Sequence, residues 1–385
     1  MTRIYLDHAA AVPVDPRVIE FAQPFLSQII GNPSSLHSVG LVARQALEEA
    51  RQKIARFVNA EDEQTILFTS GATEANNLGI RGMVLRNKTK GTTVAVSAIE
   101  HMSVLNPVKD LTKQGFTMVS LPVDSTGCVN QEDLSRLVTK DTILTSIQYA
   151  NNEIGTIQPI RELSKIIHDQ GSYLHVDATA AAAWISIDVQ RDGIDLLTLS
   201  SNDLAGPQGA GVLYVKPGIK LQPIIFGGGQ EKGLRSGTEN LFAIVGMGEA
   251  ARFIQQEQRQ ERHRLQPMRD TLIKEILTID HSFLTGHPQH RLPHHASFRF
   301  SGIEGESILL NMDMEGIQVS TGSACSSKTL EPSHVLLAIG LKHEEAHGSM
   351  VLTLGRSTTP DQIPQIIQAT KKTVARLRAL SPLPM

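Results

Sequence analysis

Short apolar runs that end in polar residues recur along the chain, separated by stretches of helical length. Leu196 to Leu199 is one such run. Ser200, Ser201, Asn202 and Asp203 follow at its end, and Gly206-Pro207-Gln208-Gly209 turns the chain back into a second apolar strand that closes at Val215. Further strands are predicted at Thr65 to Thr69, Thr93 to Ser97, Thr142 to Ile147 and Leu174 to Val176, with a helix from Pro159 to Gln170 between two of them. This is the βα alternation of a parallel sheet. Polar residues follow the strands each time: Glu100 and His101, Gln148 and Asn152, Asp177, then Ser200 to Asp203. Open α/β sheets bind ligands beyond the carboxyl ends of their strands, so these residues mark one candidate site.

The rest of the pattern is helical or mixed. Val39 to Asn59 is predicted as a helix in which Glu49 and Lys53 form an i,i+4 pair on a solvated face. A long helical pattern begins near Asn240, with Pro267 as a kink or break. Beyond it, strands at Ala296 to Phe300, Ile317 to Val319 and Met350 to Leu354 alternate with helices at Glu304 to Met314, Pro332 to Gly340 and Pro360 to Leu380. We place a boundary near Gln260, dividing a large domain, 15–260, from a small one made of 1–14 with 261–385.

Composition narrows the function classes. The chain has 385 residues, 41% hydrophobic and 19% charged, enough for two domains sharing a substantial core. A formal net charge of −3 and the lack of basic runs argue against nucleic acid or a membrane surface as partner. No apolar stretch is long enough to span a bilayer and the first residues lack the apolar core of a signal peptide, so a cytoplasmic protein is expected. Its two cysteines, Cys128 and Cys325, make neither a disulfide framework nor a paired zinc motif.

Several residues carry candidate chemistry. Ser70-Gly-Ala-Thr-Glu-Ala-Asn-Asn opens a helix after a strand, so free N–H groups and the positive end of the helix dipole form an anion cradle; the plain alternative is a capped helix start. Asp177 at the end of a strand could hold a pyridine nitrogen protonated or simply cap a helix. Cys325, within Gly322-Ser-Ala-Cys-Ser-Ser, sits in a hydrophilic context that suits a nucleophile or a metal ligand, whereas Cys128 reads as structural. His287, His290, His294 and His295 cluster in sequence, but their spacing fits no standard metal site.

Taken together, the opening Tyr5-Leu-Asp-His-Ala-Ala-Ala-Val-Pro-Val-Asp-Pro, the Gly31-Asn-Pro-Ser-Ser-Leu-His loop, the Ser70 turn, the Ser200 knot and the Cys325 loop resemble the cysteine desulfurases. The resemblance runs from Tyr5 to Thr359. It implies an α/β fold, the fold-type I pyridoxal-phosphate transferase, with a mainly parallel seven-stranded sheet and a smaller carboxyl domain. It further implies that Ala72, Thr73 and Ser200 hold the cofactor phosphate, that Asn152 meets the ring hydroxyl and Asp177 the ring nitrogen, and that His101 stacks on the ring and moves protons. Thr238 would come from the second subunit of a homodimer. Arg356 would bind the carboxylate of L-cysteine, a bidentate task that lysine does poorly, against the plainer reading of a surface ion pair. Cys325 would carry the persulfide to an IscU-type iron–sulfur scaffold protein.

Three positions depart from that pattern. Asp203 stands where the family has the Schiff-base lysine, Asn202 where it has histidine, and Ala180 where a glutamine meets the ring hydroxyl. Losing the lysine removes the covalent anchor and the base. It also sets an anion beside Asp177 and a phosphate; at about 5 Å and an effective dielectric of about 20, each contact costs roughly 3 kcal/mol, about two decades of affinity. Pyridoxal phosphate is therefore expected to be weakly held, non-covalent or absent. Two readings follow. In one, the chain presents Cys325 to a scaffold as sulfur carrier or as a thiolate ligand of a shared [2Fe-2S] cluster. In the other, it is an active desulfurase that uses non-covalent pyridoxal phosphate, with Asp203 or His101 as base.

Overall fold

The computed structural model describes residues 3–322 and 332–381; Cys325 and its neighbours lie outside them. In chain order the elements are β1 (Ile4–Tyr5), α1 (Pro16–Ala22), α2 (Pro24–Ser27), α3 (Ser38–Phe57), β2 (Ile66–Thr69), α4 (Ala72–Arg86), β3 (Thr93–Ser97), α5 (Met102–Thr112), β4 (Thr117–Leu121), α6 (Gln131–Leu137), β5 (Thr142–Ser146) and α7 (Ile160–Asp169). There follow β6 (Tyr173–Asp177), β7 (Leu196–Ser200), β8 (Gly211–Val215), α8 (Leu241–Ile276), β9 (Ser282–Leu284), β10 (His295–Phe300), α9 (Gly305–Met314), β11 (Ile317–Gln318), α10 (His334–Ala338), α11 (His343–His347), β12 (Ser349–Thr353) and α12 (Gln362–Leu380).

The central sheet has seven strands in the order β2-β8-β7-β6-β5-β3-β4, parallel except for β8, which runs antiparallel to both β2 and β7. Its strands read as continuous apolar runs because both faces are covered. Ile66, Phe68, Leu197, Leu199, Val212 and Tyr214 join the core on one face. Leu67, Leu196, Leu213 and Val215, alternating with them, join the core under α4 and α5 on the other. With β2 and β7 parallel, β2, β6 and β7 end on the same edge, so Thr69, Asp177 and Ser200 come together there.

A smaller antiparallel sheet, β12-β10-β9, and the parallel pair β1-β11 surround a separate core that includes Leu265, Phe298, Ile308 and Ile366. One element joins the two cores. α8 runs for 36 residues straight through Pro267, where the sequence predicts a kink or break. Its first half packs Ile244, Met247 and Ile254 into the large core, and its second half packs Leu265, Met268 and Leu272 into the small one. Burial at both ends outweighs the ~3 kcal/mol that an interior proline costs. The expected Glu49–Lys53 pair does not form either: Lys53 Nζ reaches Glu249 on α8 at 2.8 Å and Glu49 accepts from Gln45 at 2.9 Å. Lys53 thus ties α3 to α8 instead of lying on a solvated face.

Candidate functional site

The site is built on the carboxyl edge of the central sheet. After β2 the chain turns at Gly71, which caps α4 without a side-chain hydrogen bond, so the N–H groups of the first turn, Ala72 and Thr73 among them, are left for a ligand. Glu74 in the same turn is drawn away: its Oε2 accepts from Ser70 N and its Oε1 from Arg235 Nε, both at 2.8 Å. Asp177, at the end of β6, is buried, and its carboxylate accepts from Asn76 Nδ2 at 2.8 Å and from Thr179 N at 3.0 Å. Asn76 is fully buried on α4 and also donates to Ser103 Oγ at 2.8 Å. Ser103 in turn lies 2.7 Å from His101 Nδ1 through its hydroxyl and donates its N–H to the same nitrogen at 3.1 Å. His101, the N-cap of α5, is thereby tied to Asp177 through Ser103 and Asn76. The sequence alone does not reveal this chain, whose members come together only in the fold.

Asp203 lies in a 3-10 turn, Asn202–Leu204, that follows β7. Its carboxyl is pushed up to about 7, mainly by burial and further by the charge of Asp177, although hydrogen bonds from Ser200 and Asn202 pull the other way. It borders two cavities. One, of about 220 Å³, is lined also by His8, Trp184 and Arg356. The other, of about 20 Å³, has Asn152, Thr179, Ala180 and His294 on its walls. A third space, of about 30 Å³, is lined by Glu100, His101, Asn152 and Glu153. Among the described residues no lysine lines any of the three. The donors at the start of α4, Ser200 and the carboxylate of Asp177 could hold the phosphate and ring nitrogen of pyridoxal phosphate. Nothing at position 203 could hold its aldehyde covalently.

The class-V aminotransferase family model matches residues 4–366. Cysteine desulfurase IscS 1 of Archaeoglobus fulgidus is 55% identical over 379 residues, covering 98% of this chain and 99% of that one. The chain belongs to the cysteine desulfurase family. A desulfurase from Dictyoglomus turgidum is 46% identical over 98% of this chain and 96% of its own. Among solved structures, a NifS-like protein superposes with a TM-score of 0.92 at 32% identity, over 98% of this chain and all of the other. A NifS-like protein from Rickettsia africae gives 0.87 at 31% identity, over 97% and 99%.

Arg356 lines the 220 Å³ cavity, but its Nη1 is 2.5 Å from Glu257 Oε2 and 3.4 Å from Asp15 Oδ2, and Arg17 shares both carboxylates. The two arginines hold Glu257 down to about 2. Thr238 is exposed, which leaves it open to a second subunit. Asn152 keeps its backbone oxygen on His295 Nε2 at 2.8 Å. The four histidines separate: His287 packs on His290 with ring centroids 4.7 Å apart, while His294 stacks on Trp184 at 4.0 Å. Among the described residues no three His, Cys, Asp or Glu side chains could hold a metal ion together. None of their helices is long and apolar enough to cross a membrane. Cys128 is half-buried, and burial raises its thiol.

Two further buried carboxyls lie by the site: Glu100, which the sequence reading names among the residues after strands, and Glu153, which it does not. Glu100 is fully buried, accepts from Gln148 N at 2.8 Å, and is raised well above the carboxylate range by burial and the charge of Asp177. Glu153, beside Ser333, is raised to about 7, chiefly by burial. Polar residues after strands were the available signal, and that signal named Glu100 without showing that burial raises its carboxyl.

Proposed function

We propose that this chain is a cysteine desulfurase-like protein of iron–sulfur cluster assembly that presents Cys325 to an IscU-type scaffold, as sulfur carrier or as a ligand of a [2Fe-2S] cluster, with no lysine to hold pyridoxal phosphate. What carries this reading is Asp203: a carboxyl raised to about 7, under the like charge of Asp177, where the resemblance leads one to expect the family's lysine. The relatives named IscS cysteine desulfurase support the assembly role.

Pyridoxal phosphate, when bound, supplies the electron sink for breaking the carbon–sulfur bond of L-cysteine. In this chain Ala72, Thr73 and Ser200 would orient its phosphate, Asn152 its ring hydroxyl, and Asp177, fixed by Asn76, would keep a proton on its ring nitrogen. His101, with Nδ1 accepting from Ser103, would offer Nε2 for proton transfer. Arg356 would take the substrate carboxylate only after leaving Glu257 and Asp15. A homodimer would bring Thr238 to the neighbouring site and could cover exposed apolar side chains such as Leu26, Ile30, Leu36 and Phe226, which are 63%, 74%, 85% and 78% exposed. One observation favours the alternative, an active desulfurase with non-covalent cofactor: a carboxyl near 7 is suited to act as a base at neutral pH. A cytoplasmic location accords with both readings.

The test is anaerobic co-purification with an IscU-type scaffold, wild type against Cys325→Ser, followed by iron and sulfide analysis. Association should survive the substitution, since one side chain adds little to an interface of ~1,600 Å². The cluster in the complex should become labile or fail to form. Equal cluster content and stability in both complexes would exclude ligation by Cys325 and leave it the carrier role.

A further inference from the structure

The 220 Å³ cavity beside Asp203 differs in make-up from the cradle at α4. Val12, Val14, Leu204, Ile254 and the indole of Trp184 give it apolar walls. Its charged lining groups are nearly all paired. Asp15 has Arg17 at 2.7 Å, Glu261 has Arg264 at 2.7 Å, and Arg356 has Glu257 at 2.5 Å. Asp203 is the exception: among the described residues its partners are Ser200 and Asn202, and the charge acting on it is the like charge of Asp177. An unpaired carboxylate at the edge of an apolar space with an aromatic wall attracts a cation. The volume lies below the ~300–1,000 Å³ of drug-sized sites, so the ligand is small.

We propose that this cavity binds a small primary amine as its ammonium ion, the ammonium on Asp203 and an aliphatic body of a few carbons against Trp184, Val12 and Ile254. A plain amine is favoured over an α-amino acid, whose carboxylate would first have to draw Arg356 away from Glu257 and Asp15. The proposal rests on position 203 carrying no amine and is independent of Cys325.

Trp184 is the only tryptophan of the chain, so its fluorescence reports on this cavity directly. The probes are isoamylamine, the neutral isoamyl alcohol and L-leucine, which adds a carboxylate to the amine. Wild type should bind isoamylamine roughly tenfold or more tighter than the alcohol, the worth of a charge-assisted hydrogen bond, and more tightly than L-leucine. Asp203→Asn should bring amine and alcohol within about twofold of each other. The titratable and charged groups that share the cavities of Asp203 are His8, His294, Asp15, Glu261 and Arg356, and Asp177 acts on it through its charge. With its carboxyl near 7, amine affinity should fall about tenfold from pH 8 to pH 6 as Asp203 takes up a proton. Equal affinity of wild type for amine and alcohol would overturn the proposal, as would L-leucine binding more tightly than isoamylamine. The amine-to-alcohol comparison needs no variant, so it decides even if Asp203→Asn misfolds. The cluster test on Cys325 fails or succeeds separately.

Discussion

At position 203 the protein keeps a carboxyl that burial and the like charge of Asp177 both act against. Its folded value near 7 lies above the ordinary 3.8, so the folded state holds the proton more tightly than the unfolded chain. Stability from this group is therefore present at low pH and is lost as pH rises from about 4 to about 7. The full shift corresponds to about 4 kcal/mol, and relaxation of the half-buried site reduces that to roughly 2 kcal/mol. Asp203→Asn should accordingly be more stable than wild type at pH 8 by about that amount and little different at pH 5, as thermal or urea unfolding at the two pH values will show. A higher stability of the variant at pH 5 alone would contradict the sign. Much of this residue's meaning was legible: Asp203 follows a strand, in a knot that resembles the desulfurase site. The proton it holds was not, because that depends on burial and on Asp177, a strand away.

Among the elements, the strands were the most legible, because a sheet covered on both faces demands unbroken apolar runs such as Val94 to Val96. Pro267 was misleading for a physical reason. The local rule against proline is worth a few kcal/mol, while the burial that opposes it comes from two cores that no local window contains. The same holds for Asn76, whose partners Ser103 and Asp177 lie 27 and 101 residues away. A second tertiary link holds β2, the strand that leads into α4. Arg51 on α3 pairs with Glu231 at 2.8 Å with both side chains buried, and Glu231 Oε2 also accepts from Phe68 N at 2.8 Å. Glu231→Gln would leave the buried guanidinium with only the half-exposed Glu48, at 3.1 Å, as counter-charge, and should destabilise the fold by about 3 kcal/mol. Denaturant unfolding checks this; a loss below about 1 kcal/mol would mean that water or rearrangement satisfies Arg51.

At the scale of the whole molecule, the chain keeps the fold of the cysteine desulfurase family, and the proposed reading is that its centre is altered. On that reading the α4 cradle, Asp177, His101 and Arg356 would keep the roles the resemblance implies, with Asn76 and Ser103 linking Asp177 to His101, while Asp203, Asn202 and Ala180 stand where it leads one to expect other residues. If the frame is intact and only the anchor is missing, restoring the anchor should restore the chemistry. The direct measurement compares wild type with Asp203→Lys combined with Asn202→His and Ala180→Gln, each supplied with pyridoxal phosphate and L-cysteine. Sulfide release is followed in both, and borohydride reduction with peptide mass mapping locates any phosphopyridoxyl group. The account predicts cysteine-dependent sulfide from the triple variant with the label at position 203, and neither sulfide nor a labelled lysine from wild type. A labelled lysine in wild type, with sulfide release equal to the variant's, would contradict it.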